Sequence, residues 1–292
     1  MLTYPAILHM HAYKLIIVSA VIGVLGLARG SAQSRQIQVG FCTPLANIDA
    51  AKRAGFDYVE LATSEIAGLS DADFEQAAAH IRQTGISTPA ANLFLPATIK
   101  VTGASIDQAQ QMAYVRKAFA RLSRLGTQIV VFGSGGARMV PEGFPKDRAF
   151  QQLVDFGRRI APEARAHGIT IAIEPLRHEE TNIINSAAEG LDLVNAIDDA
   201  NFQLMIDFYH LSSEKEDPAI IGRAGAHIRH LHMANPAGRV FPRSWEEYHY
   251  APFFAALKQI GYGQRISVEA STRDLPADAP VAIALLRGGF RN

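Results

Sequence analysis

The chain has 292 residues, 48% of them hydrophobic, with 28 Lys+Arg against 28 Asp+Glu. This length buries a large core, as one barrel-sized domain or two smaller ones, and the charge balance excludes a nucleic-acid footprint or a polybasic membrane surface. Cys42 is the only cysteine, which excludes an intrachain disulfide and any multi-cysteine zinc or iron–sulfur centre.

From the N-terminus, Lys14 precedes "LIIVSAVIGVLGL" (15–27), an apolar run of signal-peptide length that is short for a membrane span. Small residues follow in "ARGSAQ", with Gly30 and Ala32 at the −3 and −1 positions of a cleavage after Ala32. The run is apolar on all sides and precedes the first domain strand. It is read as an export signal over residues 1–32 of a periplasmic protein that keeps no stable membrane insertion after processing. An uncleaved anchor and a buried N-terminal helix are the alternatives, an unprocessed chain would be cytoplasmic, and Met10 is an alternative start.

After residue 35, short β-rich apolar runs alternate with longer amphipathic segments. The expected strands are "IQVGFC" (37–42), "DYVEL" (57–61), "ISTPAAN" (86–92), "QIVVFG" (128–133), "ITIAIE" (169–174), "FQLMID" (202–207), "IRHLHM" (228–233) and "RISVEA" (265–270). Several are nearly continuous apolar runs, as parallel strands covered on both faces require. Helical patterns lie between them, among them "DADFEQAAAHIRQTG", "SIDQAQQMAYVRKAFARLSRLG", "KDRAFQQLVDFGRRIAPEARAHG", "AAEGLDLVNAI", "YAPFFAALKQIGYG" and "DAPVAIALLRGG". The first two are opened by Ser or Asp at the cap, and the first three are closed by Gly. Eight strand–helix units predict a single-domain (β/α)8 TIM barrel over residues 36–292. A doubly wound open sheet would want a Gly-rich phosphate loop after its first strand, and "GFCTPLANIDAA" has none.

Chemistry in such a barrel sits at the C-terminal strand ends. Glu174, Asp207 and Glu269 end strands 5, 6 and 8, and His232 lies near the end of strand 7. A single acidic strand end is usually a cap or an ion-pair partner. Three carboxylates and a histidine on four successive strands converge on one point, where unpaired buried charge would be costly. That donor set suits one hard or borderline divalent ion, Mn2+ first, then Mg2+ or Co2+. A structural zinc would want more sulfur or nitrogen. In "HIRHLHMANPAGR" (227–239), His230 shares a strand face with His232 and is expected to orient the site or the substrate, while His227 lies on the other face or before the strand.

The chain resembles the sugar phosphate isomerase/epimerase family with the xylose isomerase-like TIM barrel, which contains ketose 3-epimerases and hydroxypyruvate isomerases. "AGFDYVEL", "AANLFLP", "FGSGGARMVPEGFP", "IAIEPLRHEETNIINS", "LMIDFYH", "HLHMANPAGR" and "GYGQRISVEA" carry the resemblance. It implies Glu174, Asp207, His232 and Glu269 as metal ligands, with the two glutamates doubling as acid/base groups. It carries His210, Glu180 and Arg239 over as substrate-binding residues. The implied substrate is a small sugar or keto-sugar, and self-association into a homo-oligomer stays open.

The chemistry is coherent without the resemblance. Moving a proton beside a carbonyl needs a base, an acid and stabilisation of the enediolate, which a divalent ion supplies as a Lewis acid. Opposed Glu174 and Glu269 suit epimerisation, and return of the proton to the neighbouring carbon gives aldose–ketose isomerisation. A dehydratase or a 3-keto-glycoside lyase would use the same centre. An apurinic-site endonuclease would need histidines at the ends of the early strands, and a non-catalytic sugar-binding protein would not need two bases. "GSGGAR" (133–138) is either a tight turn or, with Arg138, a receiver for an anionic or hydroxyl-rich group. Asn92, Phe94 and Trp245 are expected pocket walls.

Overall fold

The computed structural model describes Met1, Leu2 and residues 36–291. The proposed signal segment therefore lies, but for Met1 and Leu2, outside the described residues. Among them, no helix is long and apolar enough to cross a membrane.

Eight parallel strands close into a barrel in sequence order. They are β1 (Gln38–Cys42), β2 (Tyr58–Ala62), β3 (Ser87–Asn92), β4 (Ile129–Phe132), β5 (Thr170–Ile173), β6 (Phe202–Asp207), β7 (Ile228–Met233) and β8 (Arg265–Val268). The ring closes through β1 on β8, where Val39 pairs with Ile266. The expected single-domain barrel is what forms, with strand ends within two residues of those read from sequence. Glu174 and Glu269 fall one residue past β5 and β8, yet their amides still bond back to Phe132 O (3.2 Å) and Met233 O (3.1 Å). Backbone pairing thus holds both carboxylates at the rim.

The helices behave as their sequences ask. Ser70 caps Asp71–Thr84 by accepting the Asp73 amide, and Gly85 ends it at φ +67°, a left-handed conformation that costs glycine nothing. Asp107 caps Gln108–Arg124 by accepting the Gln110 amide. The helix Ala187–Ile197 fills its expected range, with Ser186 accepting the Glu189 amide. Of the short helices that were not expected, two bear on the site: Gly135–Arg138 after β4 and Phe208–Ser213 after β6. Both sit where the barrel carries its polar groups.

Alternation along the strands stacks side chains in layers down the barrel axis. The middle layer is dry, with Ala90, Val131, Ala172 and Met205 fully buried. Tyr58 crosses this layer over Gly40, where a Cβ would stand 2.1 Å from the Tyr58 ring, so only glycine lets the ring lie flat. At the N-terminal end, Arg265 binds Gln38 (3.2 Å) and Gln128 (2.7 Å). The opposite end opens into the cavity.

Candidate active site

At the C-terminal rim, one ligand atom from each of Glu174, Asp207, His232 and Glu269 lies within 4.8 Å of the others. His232 Nδ1 stands 3.5 Å from Glu174 Oε1 and 3.4 Å from Glu269 Oε2. Asp207 serves twice: Oδ1 accepts the Tyr209 amide (2.9 Å) as the N-cap of the short helix after β6, which leaves Oδ2 turned to the centre. That helix carries His210, whose Nε2 is 3.6 Å from Asp207 Oδ2 and 3.8 Å from Glu174 Oε1. The Arg177 amide donates to His210 Nδ1 (3.2 Å). His210 therefore bears its own proton on Nε2, facing the site. Burial, reinforced by Arg239, holds this imidazole down to about 3, so it is a neutral donor.

Arg239 reaches in from the loop after β7. Its guanidinium donates to Glu269 (2.6 Å) and Glu180 (3.3 Å) and lies 4.5 Å over the Tyr209 ring. Asn92, at the end of β3, donates to Glu269 Oε1 (3.0 Å). Asn92, Glu180, Arg239 and Glu269, with Gly133–Gly136, line a cavity of about 920 Å³.

Four buried atoms at the centre have no hydrogen-bond partner: Glu174 Oε1, Asp207 Oδ2, His210 Nε2 and His232 Nδ1. Buried polar atoms are normally satisfied, so their convergence points to a missing guest. Burial raises the Glu174 and Asp207 carboxyls, and the neighbouring carboxylates push Asp207 up further. Burial also pushes against ionisation of Glu269, but His232 and Arg239 outweigh it and hold that carboxyl at about 2. A divalent cation would relieve the crowding of negative charge, and three carboxylate oxygens with one imidazole nitrogen fit Mn2+, Mg2+ or Co2+.

Several expected residues lie elsewhere. Arg138 is fully buried, and its guanidinium binds the carbonyls of Phe132 (3.3 Å) and Glu174 (2.7 Å). It pins the ends of β4 and β5 together and does not face the cavity, which corrects its assignment to substrate. Phe94 is buried in a stack with Phe119 (5.4 Å), and Trp245 packs edge-on against Phe254 (5.3 Å). Neither walls the pocket. Leu93 does instead, 55% exposed and held at φ +46°. Glu180 reaches the site, whereas Glu179 stays in solvent. "GSGG" lines the cavity for a steric reason, since a Cβ on Gly133 would stand 2.3 Å from Glu174 Oε2. His227 precedes β7 and bonds Gln203 (3.0 Å). His230 is sealed beneath the site against Glu60 (2.7 Å).

Glu60 and Tyr209 are the residues that sequence reading missed. The signal for Glu60 is its place in "DYVEL", two residues after Tyr58 and so on the same inward face. Tyr209 carries no comparable mark.

Fold and centre together define a (β/α)8 barrel enzyme built around a carboxylate–imidazole cluster. The chain belongs to the xylose isomerase-like TIM barrel family, whose profile matches residues 48–288. It is 25% identical over 246 residues to the D-psicose 3-epimerase of Ruminiclostridium cellulolyticum, covering 77% of this chain and 78% of that one. It is 25% identical over 227 residues to the L-ribulose 3-epimerase of Mesorhizobium japonicum, covering 77% and 74%. Its fold matches the crystal structure of D-allulose 3-epimerase from Methylomonas sp. in complex with D-allulose, with TM-score 0.77, 23% identity, and 88% and 98% of the two chains covered. These relatives place the chain among isomerases and epimerases.

Proposed function

We propose that the protein is a divalent-metal-dependent sugar epimerase or isomerase that moves a proton on the carbon next to a carbonyl through an enediolate. The observation carrying this reading is the convergence of Glu174 and Glu269, from strands three apart in the ring, on either side of His232 Nδ1. Glu174, Asp207, His232 and Glu269 would hold the ion, Mn2+ in first place, and the ion would supply Lewis-acid polarisation of adjacent substrate oxygens.

The remaining work falls to the chain's own side chains. One glutamate removes the proton from one face of the carbon and the other returns a proton to the opposite face, which inverts the centre. His210 donates from Nε2 to the oxygen on which charge develops, without first having to lose a proton. Arg239 steadies Glu269 and, with Glu180, offers a polar edge to the sugar hydroxyls. The substrate class is a small sugar or keto-sugar, and no residue of the site calls for nucleic acid.

The test is incubation of the Mn2+-loaded protein with a panel of ketoses and 3-keto-sugars in deuterated water. Wild type should wash deuterium into the carbon beside the carbonyl, and excess chelator should abolish this. Glu174→Gln and Glu269→Gln should each lose turnover by about 10²–10⁴-fold. Full activity in chelator, or two ion-loaded variants that turn over like wild type, would overturn the reading. Loss of a leaving group from the 3-keto-sugars would shift it to elimination.

A further inference from the structure

Beneath the rim, where the dry layer begins, the barrel holds a second set of polar side chains that never meets the cavity. Glu60, His230 and Ser267 are all fully buried and Tyr58 with them. Glu60 Oε1 is 3.0 Å from His232 Nε2, and Glu60 Oε2 is 2.7 Å from His230 Nε2. Ser267 Oγ donates to Glu60 Oε2 at 2.5 Å, so the 2.8 Å contact between Tyr58 and Ser267 must run from the phenol to the serine. The order is therefore Tyr58 to Ser267 to Glu60, with both imidazoles donating to the same carboxylate. An ionised carboxylate only accepts, so His230 and His232 each carry a proton on Nε2.

We propose that Glu60 is a positioning residue that fixes His232 with its Nε2 protonated, so that Nδ1 keeps its lone pair for an ion at the rim. The His232 imidazole meets Glu60 and Cys42 at Nε2 and Glu174 and Glu269 at Nδ1. Without Glu60 only Cys42 Sγ, a weak acceptor 3.8 Å from Nε2, is left on the inner side, and the Nδ1–H form, attracted to Glu174 and Glu269 at 3.5 and 3.4 Å, would place a proton where the ion belongs. A carboxylate behind a ligating imidazole also raises its basicity, and loss of such a partner typically costs about 10–100-fold in metal affinity. His230 makes the arrangement rigid, because it occupies the other oxygen of Glu60 and stops the carboxylate from turning. Gly40 belongs to the same device, since Tyr58 reaches Ser267 only by lying across it.

This inference rests on the proposed ion site, and the experiment separates the two. Side-chain ¹⁵N–¹H spectra of the ion-free wild type should show both His232 and His230 with hydrogen-bonded Nε2–H protons protected from solvent exchange. In Glu60→Gln the single amide oxygen can serve only one of them, so one imidazole should change its Nε2–H signal or lose it. Mg2+ affinity by calorimetry should fall about 10–100-fold in Glu60→Gln, and Glu60→Asp, which keeps two acceptor oxygens, should recover part of it. Wild-type His232 protonated on Nδ1 alone would overturn the inference whether or not any variant folds. So would a folded Glu60→Gln that binds Mg2+ as wild type does. Protected Nε2–H protons in a wild type that binds neither Mg2+ nor Mn2+ would support the positioning and overturn the ion site.

Discussion

Gly133 and Arg138 act on the same glutamate from two sides. Gly133 leaves the space that Glu174 Oε2 fills, while Arg138 holds the Glu174 carbonyl. Gly133→Ala should therefore push the carboxylate off its position and lower kcat at least tenfold with little loss of stability, read by steady-state kinetics beside a melting curve. Arg138→Met should do the reverse. It strands the buried carbonyls of Phe132 and Glu174, at a cost on the order of 2 kcal/mol in chemical denaturation. A selective rise in KM at unchanged stability would instead restore the arginine to the substrate. The error in reading Arg138 from sequence is instructive. A glycine-rich turn followed by arginine looks the same whether the guanidinium faces a ligand or the protein's own carbonyls, because spacing does not reveal direction.

Secondary-structure elements were the most legible part of this chain. Eight apolar runs of similar length, most of them followed by helical periodicity and several helices bounded by Ser, Asp or Gly, left little room for another architecture. The short helices Gly135–Arg138 and Phe208–Ser213 were not legible, since four to six residues are too few for an amphipathic pattern to emerge. Strand ends announced the four clustered ligands because each interrupts an apolar run. Glu60 interrupts one as well, yet its partners are 170 and 172 residues away on β7, and only the closed ring brings them together. One element depends on a single side chain in a similar way. Arg121, on the helix Gln108–Arg124, donates to the carbonyls of Ile66, Ala67 and Leu69 and pairs with Asp71, closing the helix Thr63–Gly68 that follows β2. Arg121→Met should cost about 3 kcal/mol in denaturation and raise amide exchange in residues 63–69.

For the molecule as a whole, protons and the ion should compete for the rim. Burial and the neighbouring carboxylates raise Asp207, and burial raises Glu174, so both hold protons at pH values where ordinary carboxyls are ionised. Ion binding needs them deprotonated. Affinity for Mn2+ should thus fall as pH drops toward the ordinary carboxyl range, and binding in that window should release protons, seen as buffer-dependent heats in calorimetry. The N-terminal segment bears on location. We propose export with cleavage after Ala32, so N-terminal sequencing of protein from the native host should begin near Gln33, and an intact Met1 or Met10 would refute it.

The layer of Tyr58 over Gly40 also bears on the order in which an ion and a sugar would enter. Tyr58, Ser267, Glu60 and His230 fill the barrel beneath the rim and give the cavity a floor. An ion held by Glu174, Asp207, His232 and Glu269 would lie beneath a sugar bound in the cavity, and the sugar would block its way out. On the proposed function the ion would arrive first and leave last. Saturating a well-bound ketose should slow removal of Mn2+ by EDTA in proportion to occupancy, and loading should stall when sugar is added before metal. Stripping at the same rate with and without bound ketose would mean that the ion has a second exit, through a floor that opens.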